Sequence, residues 1–281
     1  MPRQIDTAEV IPVIAKLSQK ACYELDDNYM TAIRAAYEKE ESPYGKDTLD
    51  LLIRNAEYAK AEQQACCHDT GAAVVFMEIG QEVHWVGQPL FDAVNAGVRK
   101  GYTEGFMRFS MYRDPLNRVN TGDNTPAIFK TEIVPGDGVR ITVMPKGGGS
   151  ENMGGFTTLT PDVGVEGVKK YVMSVVEKAG GKTCPPIIVG VGIGGTMDQC
   201  CLIAKKALLR PIGQNHPEKF YADMETDLLT KINNLGIGPL GMGGRITAFD
   251  VHIEYYPVHI TALPVAVNLQ CHASRHATAN L

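Results

Sequence analysis

The chain has 281 residues, of which 44% are hydrophobic and 21% charged, a balance typical of globular proteins with a sizeable core. Its formal net charge of −5 comes without a block of clustered Lys and Arg, which argues against nucleic acid as the main partner but leaves room for a small anionic substrate. No apolar run reaches the roughly 18 residues of a membrane span, and the N-terminal MPRQIDTAEVIPVIAKL breaks up what would be a signal peptide's apolar core; the expectation is no membrane and a cytoplasmic location.

Residues 7 to 65 read as helical, with Val10, Val13, Ile14, Leu17 and Ala21 at helix spacing. ESPYG interrupts the pattern, and Asp47 is expected to cap a helix running through Leu51, Leu52 and Ala56. From Gly71 the chain changes character. AAVVFMEI reads as a strand and PLFDAVNAGVRKGYTEG as a helix. PAIFKTEIVPGDGVRITVMPKGGGS reads as a hairpin turning at Gly136-Asp137-Gly138. GVEGVKKYVMSVVEKAG is a helix with a glycine stop. PPIIVGVGIGG is a buried strand entering a glycine loop, followed by the helical TMDQCCLIAKKALLR and PEKFYADMETDLLTKINNLG. GGRITAFDVHIEYY and PVAVNLQC are strands. The predicted fold class is mixed α/β, a helical N-terminal part followed by a mixed β-sheet with flanking helices. The expected organisation is a single domain over 1–281, with a helical subregion 1–65 and an α/β region 66–281.

Seven cysteines and no secretion signal argue against a disulfide framework. Cys22, Cys200 and Cys201 fall on helical patterns and read as small core residues. Cys66, Cys67, Cys184 and Cys271 lie near turns or strand ends. Cys67 in CHDTG, Cys184 in TCPP and Cys271 in LQCHASRHA are too far apart for a zinc ribbon or knuckle. Three thiolates from distant turns suit an iron–sulfur cluster with one iron left open as a Lewis acid, while each cysteine alone also reads as a buried thiol. GVGIGG, Gly190 to Gly195, has the dinucleotide-binding spacing but lacks the acidic strand end expected about 20 residues on. Its glycines serve equally for anion binding or for close helix–sheet packing. PKGGGSEN, with Lys146 before three glycines and Ser-Glu-Asn after, reads as a substrate-facing turn or a flexible loop.

Taken together, CHDTG, NTGDNTP, KGGGSEN, TCPPIIVGVGIGG, LGIGPLGMGG and LPVAVNLQC resemble, in order, the α part of class I fumarate hydratases, with L-tartrate dehydratase α subunits as close relatives. The likeness runs from about residue 10 to 275. It implies a [4Fe-4S] cluster on Cys67, Cys184 and Cys271, whose fourth iron meets the hydroxyl and a carboxylate of the substrate. It implies Asp69 and His259 as catalytic residues in proton transfer, and His68, Arg108 and Gly148 at the substrate. His68 stands where the family usually has glutamine. A surface arginine and a core histidine are the plain readings of Arg108 and His259. The resemblance also implies that the second catalytic domain, with the C3 base, is a separate β subunit in a hetero-oligomer. The leading expectation is reversible hydration of fumarate to L-malate. The alternatives are L-tartrate or a related dicarboxylate, a non-catalytic metal-binding subunit, and a dinucleotide-binding oxidoreductase.

Overall fold

The computed structural model describes residues 2–281. In chain order the strands and helices are β1 (Arg3–Asp6), α1 (Val10–Tyr23), α2 (Asp27–Lys39), α3 (Pro43–Glu62), β2 (Ala72–Gly80), β3 (Val83–Val86), α4 (Leu90–Glu104), β4 (Ile128–Val134), β5 (Val139–Lys146), the one-turn α5 (Gly148–Glu151), β6 (Gly155–Leu159), α6 (Gly164–Ala179), β7 (Ile187–Gly194), α7 (Met197–Ala207), α8 (Lys219–Asn233), β8 (Ala248–Tyr256), β9 (Leu263–Gln270) and β10 (Ala277–Asn280). The fold is mixed α/β, as the sequence predicts. Among the described residues no helix is long and apolar enough to cross a membrane. The chain divides into two compact units: Met1–Leu25, Asn55–Gly148 and Arg275–Leu281 form unit 1; Asp26–Arg54 and Gly149–Ser274 form unit 2.

Unit 1 is built on a four-stranded sheet in the order β10-β5-β2-β4. Alternate β2 residues Ala73, Val75, Met77 and Ile79 share a core with Val10, Ile14 and Leu17 of α1 and Val94 and Val98 of α4. The expected hairpin of β4 and β5 does not form. β2 lies between them, parallel to β4 (Val74↔Ile128) and antiparallel to β5 (Val74↔Met144). The reason is burial: β2 is apolar on both faces along most of its length, so it takes an interior position, where its backbone groups find partners on both sides. The Gly136–Gly138 turn passes over the end of β2, where Gly80 N–H donates to Gly138 O and Glu82 N–H to Gly136 O.

Unit 2 carries the sheet β6-β9-β7-β8, with β9 antiparallel to both β6 and β7 and β7 parallel to β8. One face, including Val189, Val191, Val265 and Val267, packs on α6 and α8 through Val172, Val176 and Leu228. The opposite face receives α7. There the glycines of GVGIGG find their use: a Cβ on Gly190 would stand 2.2 Å from Ala204 O, and one on Gly192 2.2 Å from Cys200 O. Both glycines lie inside β7 and let α7 sit against the strand backbone, so their role is close helix–sheet packing. Cys200 is fully buried in that contact, whereas Cys201 is half-buried.

The expected cap at Asp47 is also corrected. The helix begins at Pro43, placing Asp47 inside it. Ser42 Oγ accepts from Gly45 N–H at 3.3 Å, and proline is favoured at the first helical position because its missing N–H would be unpaired there anyway. The break before it is pinned by buried Glu40, whose carboxylate accepts from the N–H groups of Glu41, Ser42, Arg245 and Ile246.

Adding a methyl group at Gly192 has no free space to enter. Gly192→Ala should lower unfolding free energy by about 2 kcal/mol or more, by overpacking α7 on β7. Urea denaturation followed by circular dichroism checks this; an unchanged midpoint would contradict the packing role.

Candidate functional site

In unit 1 the chemistry-bearing turn follows α3. Cys66 is buried, its N–H donating to Cys22 O (3.0 Å) and its carbonyl accepting from Asn55 Nδ2 (2.8 Å). Cys67 is half-buried, His68 exposed and Asp69 half-buried. Asp69 Oδ1 accepts from Gly71 N–H at 3.1 Å, a side-chain-closed turn. Its Oδ2 accepts from Gly148 N–H at 2.8 Å. Strand register explains this meeting: β2 begins just after the turn, β5 ends just before Gly147, and Ala72 pairs with Lys146. Gly71, at φ +71°, lies so close to Lys146 that a Cβ would stand 2.4 Å from its carbonyl. Only glycine meets both demands.

Three further groups hold the turn. Thr70 Oγ1 donates to Arg108 O (3.1 Å). The buried Tyr102 hydroxyl lies 3.0 Å from Thr70 O and 3.2 Å from Gly71 O. Asn124, fully buried, donates from Nδ2 to Gly71 O (3.1 Å) and accepts at Oδ1 from Ser110 N–H (2.6 Å). The loop carrying the exposed Arg108 is thus tied by its backbone to the Cys66–Gly71 turn. Behind the turn, Arg275 donates from Nη1 to Asp69 O at 2.7 Å.

In unit 2, Cys184 is exposed and left-handed (φ 53°, ψ 67°), just before β7. Cys271 is half-buried and immediately follows β9. Because β7 and β9 run antiparallel, with Ile188 opposite Gln270, the start of one and the end of the other coincide. His272 N–H donates to Cys184 O at 3.0 Å, tying the two cysteine turns together. His259 is exposed on the loop after β8, with Nδ1 2.9 Å from Thr261 Oγ1. It borders an apolar cavity of about 350 Å³ together with Val165, Phe220, Tyr221 and Ile260. Asp69 belongs to unit 1 and His259 to unit 2, so their expected relay is not a contact within either unit.

The other cysteines serve packing. Burial pushes the Cys22 thiol up to about 11, against the opposing influence of Arg275. Burial likewise pushes Cys200 up to about 12 and raises Cys201. All three lie on helices, and Cys22 and Cys200 are fully buried. Cys67, Cys184 and Cys271 are the cysteines that combine a turn or strand-end position with incomplete burial, and as soft sulfur donors they fit an iron–sulfur group. Among the described residues no three His, Cys, Asp or Glu side chains are already grouped as a metal site. Within PKGGGSEN, Lys146 and Ser150 are buried. Glu151 pairs with Lys205 and accepts from Asn268 Nδ2 at 3.1 Å. Arg275, Asn124 and Tyr102 escaped the sequence reading.

A model of the fumarate hydratase (Fumerase) family matches residues 11–280. The chain belongs to that family. Membership makes it a hydro-lyase of the class I fumarate hydratase type. Among curated family relatives, a Methanocaldococcus jannaschii protein with the provisional name L(+)-tartrate dehydratase subunit alpha is 40% identical over 275 residues, covering 96% of each chain. The L(+)-tartrate dehydratase subunit alpha of Escherichia coli strain UTI89 is 31% identical over 270 residues, covering 95% of this chain and 88% of that one. Its counterpart from strain K12 is 30% identical over the same length.

Asn124→Ala removes both bonds that Asn124 makes to this Fumerase-family turn and its neighbouring loop. It should destabilise the protein by about 1–3 kcal/mol, since Ser110 N–H loses its partner and Gly71 O keeps only the Tyr102 hydroxyl. Chemical denaturation of the purified chain measures it, and a loss under about 0.5 kcal/mol would show that these groups are satisfied without Asn124.

Proposed function

We propose that this chain is the α subunit of a [4Fe-4S]-dependent hydro-lyase which, with a β subunit, interconverts fumarate and L-malate. The observation that carries the reading is the Asp69 carboxylate, held by two backbone N–H groups two residues from Cys67. In this reading Cys67, Cys184 and Cys271 are the cluster ligands. When bound, a cluster with three cysteine ligands supplies a Lewis-acidic iron that polarises the substrate oxygen. Asp69 exchanges the proton at the hydroxyl side through its carboxylate oxygens, with His259 as its relay partner in the assembled enzyme. Gly148 lies at the substrate side of the same loop and orients Asp69 through its N–H. Arg108 presents five guanidinium donors in a planar fork suited to a carboxylate. His68, exposed between Cys67 and Asp69, meets the diacid at the position where the family resemblance implies a glutamine. The β subunit supplies the base for the C3 proton and further cationic groups; the relatives' designation as α subunits supports such a partner.

A second reading, dehydration of L-tartrate, is favoured by the names of the relatives at 30–40% identity. It uses the same residues on a diacid bearing a second hydroxyl. An anaerobic assay of the reconstituted α–β complex with fumarate, L-malate and L-tartrate separates the two. Turnover of fumarate and malate above tartrate supports the lead, the reverse order supports the second reading, and no turnover of any of them contradicts both.

Serine at Cys67, Cys184 or Cys271 should each abolish stable cluster binding, whereas serine at Cys66, Cys200 or Cys201 should spare it. Iron and sulfide analysis of anaerobically purified variants is the check. Full cluster content in Cys271→Ser would sink the ligand assignment.

A further inference from the structure

Among the described residues Arg275 is the largest fully buried side chain, with 1% of its surface exposed. Burying a guanidinium is expensive unless negative charge and acceptors surround it. Its Nη1 donates to Asp69 O at 2.7 Å. A Cβ built on Gly147 would stand 3.2 Å from Arg275 Nη2 and 3.1 Å from Asp69 Oδ2, so both groups crowd the same glycine. A neutral amide would satisfy the Asp69 carbonyl at lower desolvation cost. The charged fork makes sense where the carboxyl group of Asp69 crowds the same glycine. Topology delivers Arg275 to this place: β10 pairs antiparallel with β5, Ala277 opposite Val143, and Arg275 lies two residues before β10.

We infer that Arg275 is a positioning residue for the hydro-lyase reaction: buried behind the Cys66–Gly71 turn, it fixes where the Asp69 carboxylate stands against Gly147 and Gly148. The inference rests on the proton-transfer role proposed for Asp69. Arg275 holds the backbone of Asp69, while Gly71 and Gly148 hold its two carboxylate oxygens. One anchor thus acts on the backbone of Asp69 and two on its carboxylate. Removing the first lets the turn shift while the cysteine beside it stays in the chain.

The test uses the α–β holoenzyme with Arg275→Gln, Arg275→Lys and Gly147→Ala. Turnover is expressed per bound cluster, and amide exchange of the Gly147–Gly148 segment is followed by mass spectrometry. Arg275→Gln should lose about 100-fold in kcat per cluster, the scale of a 1 Å misplacement. Its KM should change by less than about threefold, because substrate binding does not run through Arg275. The Gly148 amide should exchange about tenfold faster as its acceptor loosens. Arg275→Lys, which keeps the charge but not the fork, should recover only part of the loss. Gly147→Ala pushes Asp69 and Arg275 apart without removing either, and should lower kcat per cluster in the same direction; it decides the matter if Arg275→Gln does not fold. Wild-type kcat per cluster with unchanged Gly148 exchange, in Arg275→Gln or in Gly147→Ala, would overturn the inference. If the wild-type complex turns over no diacid, the functional reading fails, and the exchange rate of Gly148 in Arg275→Gln still decides whether Arg275 positions Asp69.

Discussion

The carboxylate of Asp69 bridges two backbone segments 79 residues apart, its own turn and the glycine loop that begins at Gly148. That bridge depends on register. Ala72 pairs with Lys146, so the first residue of β2 and the last of β5 lie side by side, and the turn leading into β2 meets the loop leaving β5. A slip of one residue would turn the alternating apolar side chains of β2 out of the core, so core packing itself guards the position of Asp69. Gly71 and Gly147 keep the two segments within reach, because a side chain at either place would occupy the space they share.

The same construction recurs in unit 2. β7 and β9 run antiparallel with Ile188 opposite Gln270, which brings Cys184, before β7, to Cys271, after β9. The hydrogen bond from His272 N–H to Cys184 O records that proximity. In both units, then, the proposed site residues lie just beyond the paired ends of an antiparallel strand pair. The buried strands set the spacing, and the turns carry the chemistry.

Much of this was legible in the sequence, for physical reasons that also mark the limit. Helix periodicity located α1, α4, α6 and α8, and apolar runs located β2, β7 and β9, because burial imposes those patterns directly. Which strands pair is not written in the periodicity. The β4–β5 hairpin was the natural local reading of a Gly-Asp-Gly turn, yet β2, apolar on both faces, takes the place between them. Asp47 looked like a cap, but Ser42-Pro43 had already started that helix. At the site, the cysteines and Asp69 stood out by residue type. Arg275 and Asn124 did not, since their importance comes from burial and from contacts 206 and 53 residues away. A buried arginine looks in sequence like any surface arginine.

The central claim is that this chain holds a three-cysteine cluster whose open iron meets a diacid beside Asp69. Mössbauer spectroscopy of the ⁵⁷Fe-reconstituted α–β complex, with and without L-malate, tests it most directly. The account predicts that about a quarter of the iron signal shifts to a distinct site when the diacid is added, as expected for one cluster iron without a protein ligand. A spectrum unchanged by malate and by tartrate, with all irons alike, would contradict it.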